Sequence, residues 1–100
     1  MPTTIEEFRK ELDGINIHEL GEKECLKRLC RLRIEFSPNS PSALGQAFHF
    51  IDSLNGRIAE VLGLDTDTEF DVGDCAFFIE VLEKGMNVST IAAMFIGSVA

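Results

Sequence analysis

The chain has no tryptophan and no tyrosine. An interface built on those two residues as hot spots is therefore excluded, and eight phenylalanines must supply the bulky packing. Cations are scarce as well: nine Lys and Arg face seventeen Asp and Glu, giving a net charge of −8. The shortage is concentrated in residues 37–100, where nine acids meet only Arg57 and Lys84, whereas residues 1–36 carry eight acids and seven bases. Such a balance opposes attraction to DNA, RNA or anionic lipid and favours basic partners. No basic segment precedes an apolar run at the N-terminus, and no apolar run reaches the about 18 residues that a membrane span needs. A soluble, cytosolic protein is expected. There is no glycine-rich phosphate loop and no C-x-x-C spacing, and His18 and His49 fit no zinc pattern. The three cysteines, Cys25, Cys30 and Cys75, form an odd set better suited to reduced thiols than to a disulfide framework. Cys25 and Cys30 point about 140° apart on a helix, and buried free thiols are the expectation for both. With this inventory neither an enzyme nor a cofactor is expected.

What is present describes one domain over residues 1–100. A chain of this length has room for one core, burying somewhat more than roughly 60% of its unfolded surface; 45% apolar and 26% charged residues are ordinary for a globular protein. The local signals predict an all-α domain of about five helices packed as a bundle. Thr4 and Glu7 match a capping box, and Gly14 stands where a left-handed C-cap would sit, which gives a first helix from about Ile5 to Asp13. The stretch "EKECLKRLCRLRIEF" predicts a second helix over about Glu22 to Phe36, ended by "SPNSPS", where Ser40 and Pro41 can open the third. Leu44, Phe48, Ile51, Leu54, Ile58 and Leu62 recur at steps of three or four, so the third helix runs from Pro41 to Leu62 and Gly63 closes it. Asn55-Gly56 could kink it, but the period continues across them. A fourth helix from about Val72 to Lys84 takes Asp71 as N-cap and Gly85 as its end. "NVSTIAAMFIG" forms a short fifth, capped by Asn87 or Ser89.

The segment "LDTDTEFDVGD" carries an acid at every second position from Asp65 to Asp71, and another at Asp74. Asp65, Asp67 and Glu69 fit the first ligand positions of an EF-hand, but Phe70 stands where the turn glycine belongs and Ala76 where the bidentate Glu belongs. If the segment is extended, residues two apart lie about 6.6 Å from one another on one face. Asp65, Asp67, Glu69 and Asp71 then form a negative row, with Asp74 on the next helix turn, Glu60 adding to the patch, and Phe70 and Val72 pinning the opposite edge to the core. Such a row suits a groove lined with Lys and Arg for a phosphate backbone. The plainer alternative is a solvated helix start, in which Asp71 and Asp74 favour the helix N-terminus.

Elsewhere, Lys23, Lys27 and Arg31 line one face of the second helix, with Arg28 nearby; a solvated face paired with Glu24 or Glu35 is expected, and contact with the acidic segment of a second copy would give a homodimer. His49, Asp52 and Ser53 sit on adjacent turns of one helix, an arrangement that does not make a catalytic relay; a surface histidine paired with Asp52 is expected. "LEKGMNVSTIAAMFIGS", over Leu82 to Ser98, resembles the helix-turn-helix of LuxR-type regulators, with Gly85 at the turn, Asn87 opening the next helix, Ile91-Ala92 as its buried pair and Ile96 before the recognition helix. It departs from that pattern where DNA would be read: Ala100 follows before a recognition helix forms, and the surrounding charge is acidic.

In size, acidity, helical character and lack of a catalytic set, the chain resembles phage-encoded inhibitors, among them anti-CRISPR proteins. That resemblance implies a non-enzymatic, stoichiometric inhibitor of a basic protein or ribonucleoprotein complex, with no direct contact to nucleic acid or membrane. The residues expected to carry it are Asp65, Asp67, Glu69, Asp71 and Asp74, with Glu60. The alternatives are an adaptor or oligomeric subunit docking through the apolar "IAAMFIGSVA", and a degenerate calcium binder.

Overall fold

A computed structural model describes residues 4–36 and 44–99, excepting the side chains of residues 44–46 and 96–99. It is all-α: α1 (Ile5–Asp13), α2 (Ile17–Glu35), α3 (Leu44–Leu62), α4 (Val72–Glu83) and α5 (Val88–Val99), with no strand among the described residues. The expected start of α3 at Ser40 and Pro41 lies outside the described residues. No helix among them is long and apolar enough to cross a membrane.

The caps explain most of the boundaries. The Thr4 hydroxyl accepts from the Glu7 amide at 3.2 Å, satisfying one of the amides that a helix start leaves unpaired. Asn87 Oδ1 accepts from the Thr90 amide at 2.9 Å and so caps α5 in preference to Ser89. At Gly63 (φ +71°) the Leu64 amide reaches back to the Ala59 carbonyl, and at Gly85 (φ +100°) the Met86 amide reaches the Val81 carbonyl. These are paired Schellman closures in the left-handed conformation that glycine tolerates.

Two expectations need correction. Gly14 is right-handed (φ −80°) and not a left-handed cap: its amide bonds back to α1 and the Ile15 amide follows at once onto the Leu12 carbonyl, so the chain leaves in a tight right-handed turn. The connection before Glu22 is itself helical. Asn16 Oδ1 caps a single turn over residues 17–20, and Gly21 (φ 80°, ψ 164°) breaks it from the long segment over residues 22–35. Asn55 and Gly56, by contrast, leave α3 unbroken.

Helix α2 is the centre of the packing and touches all four others. Leu26, Leu29 and Cys30 are wholly buried and Cys25 nearly so. Side chains about 140° apart on one helix can both be buried because α3 and α4 lie against different sides of it. Six phenylalanines form two triads. Phe8, Phe36 and Phe50 meet with ring centroids 4.7–5.9 Å apart beneath α1, α2 and α3. Phe70, Phe78 and Phe95 meet at 5.2–6.2 Å beneath the α3–α4 loop, α4 and α5. The Arg57 guanidinium, part-buried on α3, donates to the Ile15 carbonyl and ties α3 to the α1–α2 junction.

Candidate functional site

The acidic segment is the loop from α3 into α4, and its ends are fixed before its charges are considered. The Gly63 closure turns the chain out of α3, and Phe70, 3% exposed, enters the second aromatic triad. The Phe70 amide donates to Asn55 Oδ1 at 3.3 Å. Asn55, 6% exposed, is the one buried polar residue among the described residues, and it faces inward from the middle of α3. Nothing in the sequence analysis assigned it this role. Its place beside Leu54 and before Ile58 on the apolar stripe was the available signal.

Between these anchors the chain is not an extended ribbon. Asp65 Oδ1 accepts from the Asp67 amide at 3.0 Å, and the Thr68 amide bonds the Asp65 carbonyl at 3.0 Å, so residues 65–68 form a closed turn. Asp and Thr favour such local side-chain to backbone bonds, and these override a strand-like period of two. The evenly spaced row is therefore replaced by a turn followed by an extended approach to α4. Phe70 does pin the segment to the core, but Val72 is exposed and does not.

The six acids fall into two groups. Asp71 and Asp74 form a reciprocal capping box: Asp71 Oδ1 accepts from the Asp74 amide at 2.7 Å, and Asp74 Oδ2 from the Asp71 amide at 3.1 Å. Both carboxylates thus serve the helix start. Glu60, Asp65, Asp67 and Glu69 are exposed on the end of α3 and on the loop. None of the six has an ion-pair partner among the described residues, whose pairs are Lys27–Glu24, Arg28–Glu24, Arg31–Glu83 and Lys84–Glu80. The basic stripe pairs with Glu24, as expected, through Lys27 and Arg28, while Arg31 reaches across to Glu83 of α4 at 3.4 Å.

The oxygens do not converge as a calcium loop requires: Asp65, Asp71 and Asp74 are turned onto backbone amides, and no group of three or more His, Cys, Asp or Glu among the described residues could hold a metal. On α3 the Ser53 hydroxyl donates to the His49 carbonyl at 3.0 Å, as helix serines do, and His49 makes no pair with Asp52. A groove between α1 and α2 is lined by none of the six acids of the acidic edge. It is open, about 660 Å³, and lined by Lys10, Arg28 and Arg31 together with Glu7, Glu11 and Glu35, so its charges largely offset one another. Comparison of the chain with protein-family models, curated proteins and solved structures finds no significant match.

Proposed function

We propose that this chain is a non-enzymatic interaction module, a stoichiometric inhibitor that seats an acidic edge on Lys and Arg side chains of a nucleic-acid-binding protein or ribonucleoprotein complex. One observation carries the reading. Glu60, Asp67 and Glu69 are exposed carboxylates with neither an ion-pair partner nor a helix cap to serve among the described residues, on or beside a loop anchored at both ends. Asp65 adds a fourth charge while holding the turn, and Asp71 and Asp74 stand behind it. Crowding these like charges raises the energy of the folded state, and at Glu60, Asp67 and Glu69 no bond in the fold offsets it, whereas a basic partner would relieve it. The anchors matter equally, because a loop already held in place loses little entropy on docking. The phage-encoded inhibitors that the sequence resembles are one class that would work in this way.

The test is capture of partners from a lysate of cells that express the protein, at low and high salt, with the wild type and with Asp67→Lys/Glu69→Lys. A basic, nucleic-acid-binding partner retained by the wild type at low salt, released by high salt and lost from the variant is the expected result. Equal retention by a folded variant refutes the acidic edge.

A second reading rests on the exposure of Phe77 (43%) on α4 and Met94 (45%) on α5, which would suit an adaptor docking through its last helices. It is weakened by the inward use of Ile91, Ala92 and Phe95, which leaves less apolar surface than "IAAMFIGSVA" suggests. Under it, capture survives high salt and is lost on deleting residues 96–100. A second copy as partner would appear as a dimer in sizing.

A further inference from the structure

The groove between α1 and α2 has walls of opposite charge. Its α1 wall carries Glu7 and Glu11 with Lys10, net −1, and its α2 wall carries Arg28 and Arg31 with Glu35, net +1. All six side chains are exposed, and the buried Ile15 and Leu32 make an apolar floor between them. Lys10, Glu11 and Glu35 take part in no ion pair among the described residues. Arg28 and Arg31 meet Glu24 and Glu83 at 3.4 Å, yet their side chains are 52% and 47% exposed. A guanidinium has five N–H donors, so each can serve a second carboxylate.

The wider charge distribution points to the same face. Residues 1–36, which supply both walls, carry a net −1, whereas residues 37–100 carry −7. Two copies meeting through the second part would set like charges against each other, and meeting through α1 and α2 avoids this. Repulsion between the remaining charges is screened beyond about 8 Å at physiological ionic strength, a distance that does not separate charges in direct contact.

We propose that the groove seats a second copy of this chain, in a two-fold dimer whose axis runs along the groove. The charges select that axis. Turning one copy about a line along the groove lays its α1 wall on the α2 wall of the other, and the symmetry makes the same seam twice. A line across the groove would lay α1 on α1 and α2 on α2, like on like. Phe8 packs on Phe36 with ring centroids 5.1 Å apart. One helical turn from that contact into the groove stand Glu11 on α1 and Leu32, beside Arg31, on α2, while Lys10 and Glu35 lie nearer to it. Rotation about the groove line leaves heights unchanged, so Glu11 of one copy meets Arg31 of the other and Lys10 meets Glu35. The dimer does not depend on the docking reading. Because none of the six acids of the acidic edge lines the groove, it would display two such edges, and a partner with two basic sites would be held by both.

The experiment is sedimentation equilibrium of the full chain over a range of concentrations, at about 0.15 M and about 1 M salt. A monomer–dimer equilibrium at the lower salt, shifted to monomer at the higher, is the expected result. Glu11→Lys and Arg31→Glu should each weaken dimerisation by about tenfold or more, because each sets like charges together at both seams. An equimolar mixture of the two variants should dimerise again, and so should the double variant, since both arrangements restore acid on base. Loss of folding cannot mimic that rescue. If Arg31→Glu, which loses the Glu83 pair, does not fold, Lys10→Glu with Glu35→Lys makes the same test at the neighbouring contact. A chain that stays monomeric at 0.15 M salt, a dimer unmoved by the single swaps, or a dimer lost with them and restored by neither mixing nor the double swap would each overturn the proposal. So would assembly that grows past the dimer or is lost in Asp67→Lys/Glu69→Lys, which would place the acidic loop in a head-to-tail contact instead.

Discussion

Replacing Asn55 by leucine tests whether one buried amide positions the acidic loop. Leucine has a similar size and keeps α3 helical, but it cannot accept the Phe70 amide that Asn55 Oδ1 receives at 3.3 Å. Phe70 is 3% exposed, so water has poor access to the orphaned N–H. Leaving a buried donor unsatisfied costs about 1–3 kcal/mol. Extra apolar burial by leucine returns a fraction of that, so a net loss of about 1–2 kcal/mol is expected. For a domain of this size it lowers the thermal midpoint by about 4–16 °C. Urea unfolding gives the energy, and hydrogen exchange at the Phe70 amide gives the location. The Phe70 amide should exchange much faster in the variant, whereas the amides of the α2 core should speed up only as far as the loss of global stability allows. If stability changes by under about 0.5 kcal/mol and the Phe70 amide stays equally protected, the bond does not hold the loop, and the claim that the acidic edge is pre-ordered fails with it.

The remaining predictions concern single residues. Asp71→Ala removes the N-cap acceptor of α4 and half of the capping box, and should cost about 0.5–2 kcal/mol in urea unfolding. Gly21→Ala and Gly56→Ala should differ in sign, although a Cβ meets nothing within 4 Å at either position. Gly21 holds φ 80° and ψ 164°, a region strained for any side chain, so alanine costs about 1–3 kcal/mol; Gly56 is an ordinary position within α3, where alanine should add about 0.5–1 kcal/mol. Equal effects would refute the backbone assignment at Gly21. Burial pushes the Cys25 thiol up, against a smaller opposing pull from Arg57. Below the ordinary thiol value both states keep the proton and pH has no effect through this group. Above it the unfolded chain ionises first, so stability should decline with rising alkaline pH, and less steeply in Cys25→Ala. Asp67→Lys/Glu69→Lys should leave stability unchanged or slightly raised, since neither carboxylate holds a bond in the fold; a loss above about 1 kcal/mol would mean the acids serve folding after all.

Helix boundaries were legible where one residue type has one local use. Thr4, Asp71 and Asn87 cap because their side chains reach amides two or three residues on, and Gly63 and Gly85 stop helices because the chain must turn left-handed there. Gly14 shows the limit of that rule. A glycine after a helix permits a left-handed residue without requiring one, and the immediate Ile15–Leu12 bond selects the right-handed turn. The shape of the acidic segment was not legible because its period of two is satisfied equally by a strand face and by an Asx turn, and only the turn supplies Asp67 and Thr68 amides with acceptors. Its concentration of charge was legible in the sequence; the division between capping acids and unengaged acids needed the hydrogen bonds. Asn55 depends on a contact across 15 positions, and no local pattern reports it.

The second phenylalanine triad joins two surfaces that would otherwise be treated as separate. Phe70 leaves the acidic loop and lies 5.2 Å from Phe95 of α5, with Phe78 of α4 against both. Any ligand that bound α5 and shifted Phe95 would change the energy of the loop conformation, and a ligand on the loop would change α5 by the same amount, since coupling between two sites is reciprocal. If the proposed partner docks on the acidic edge, its affinity is thus linked to the conformation of the last helix, and a substitution at Phe95 would alter it without touching a single carboxylate.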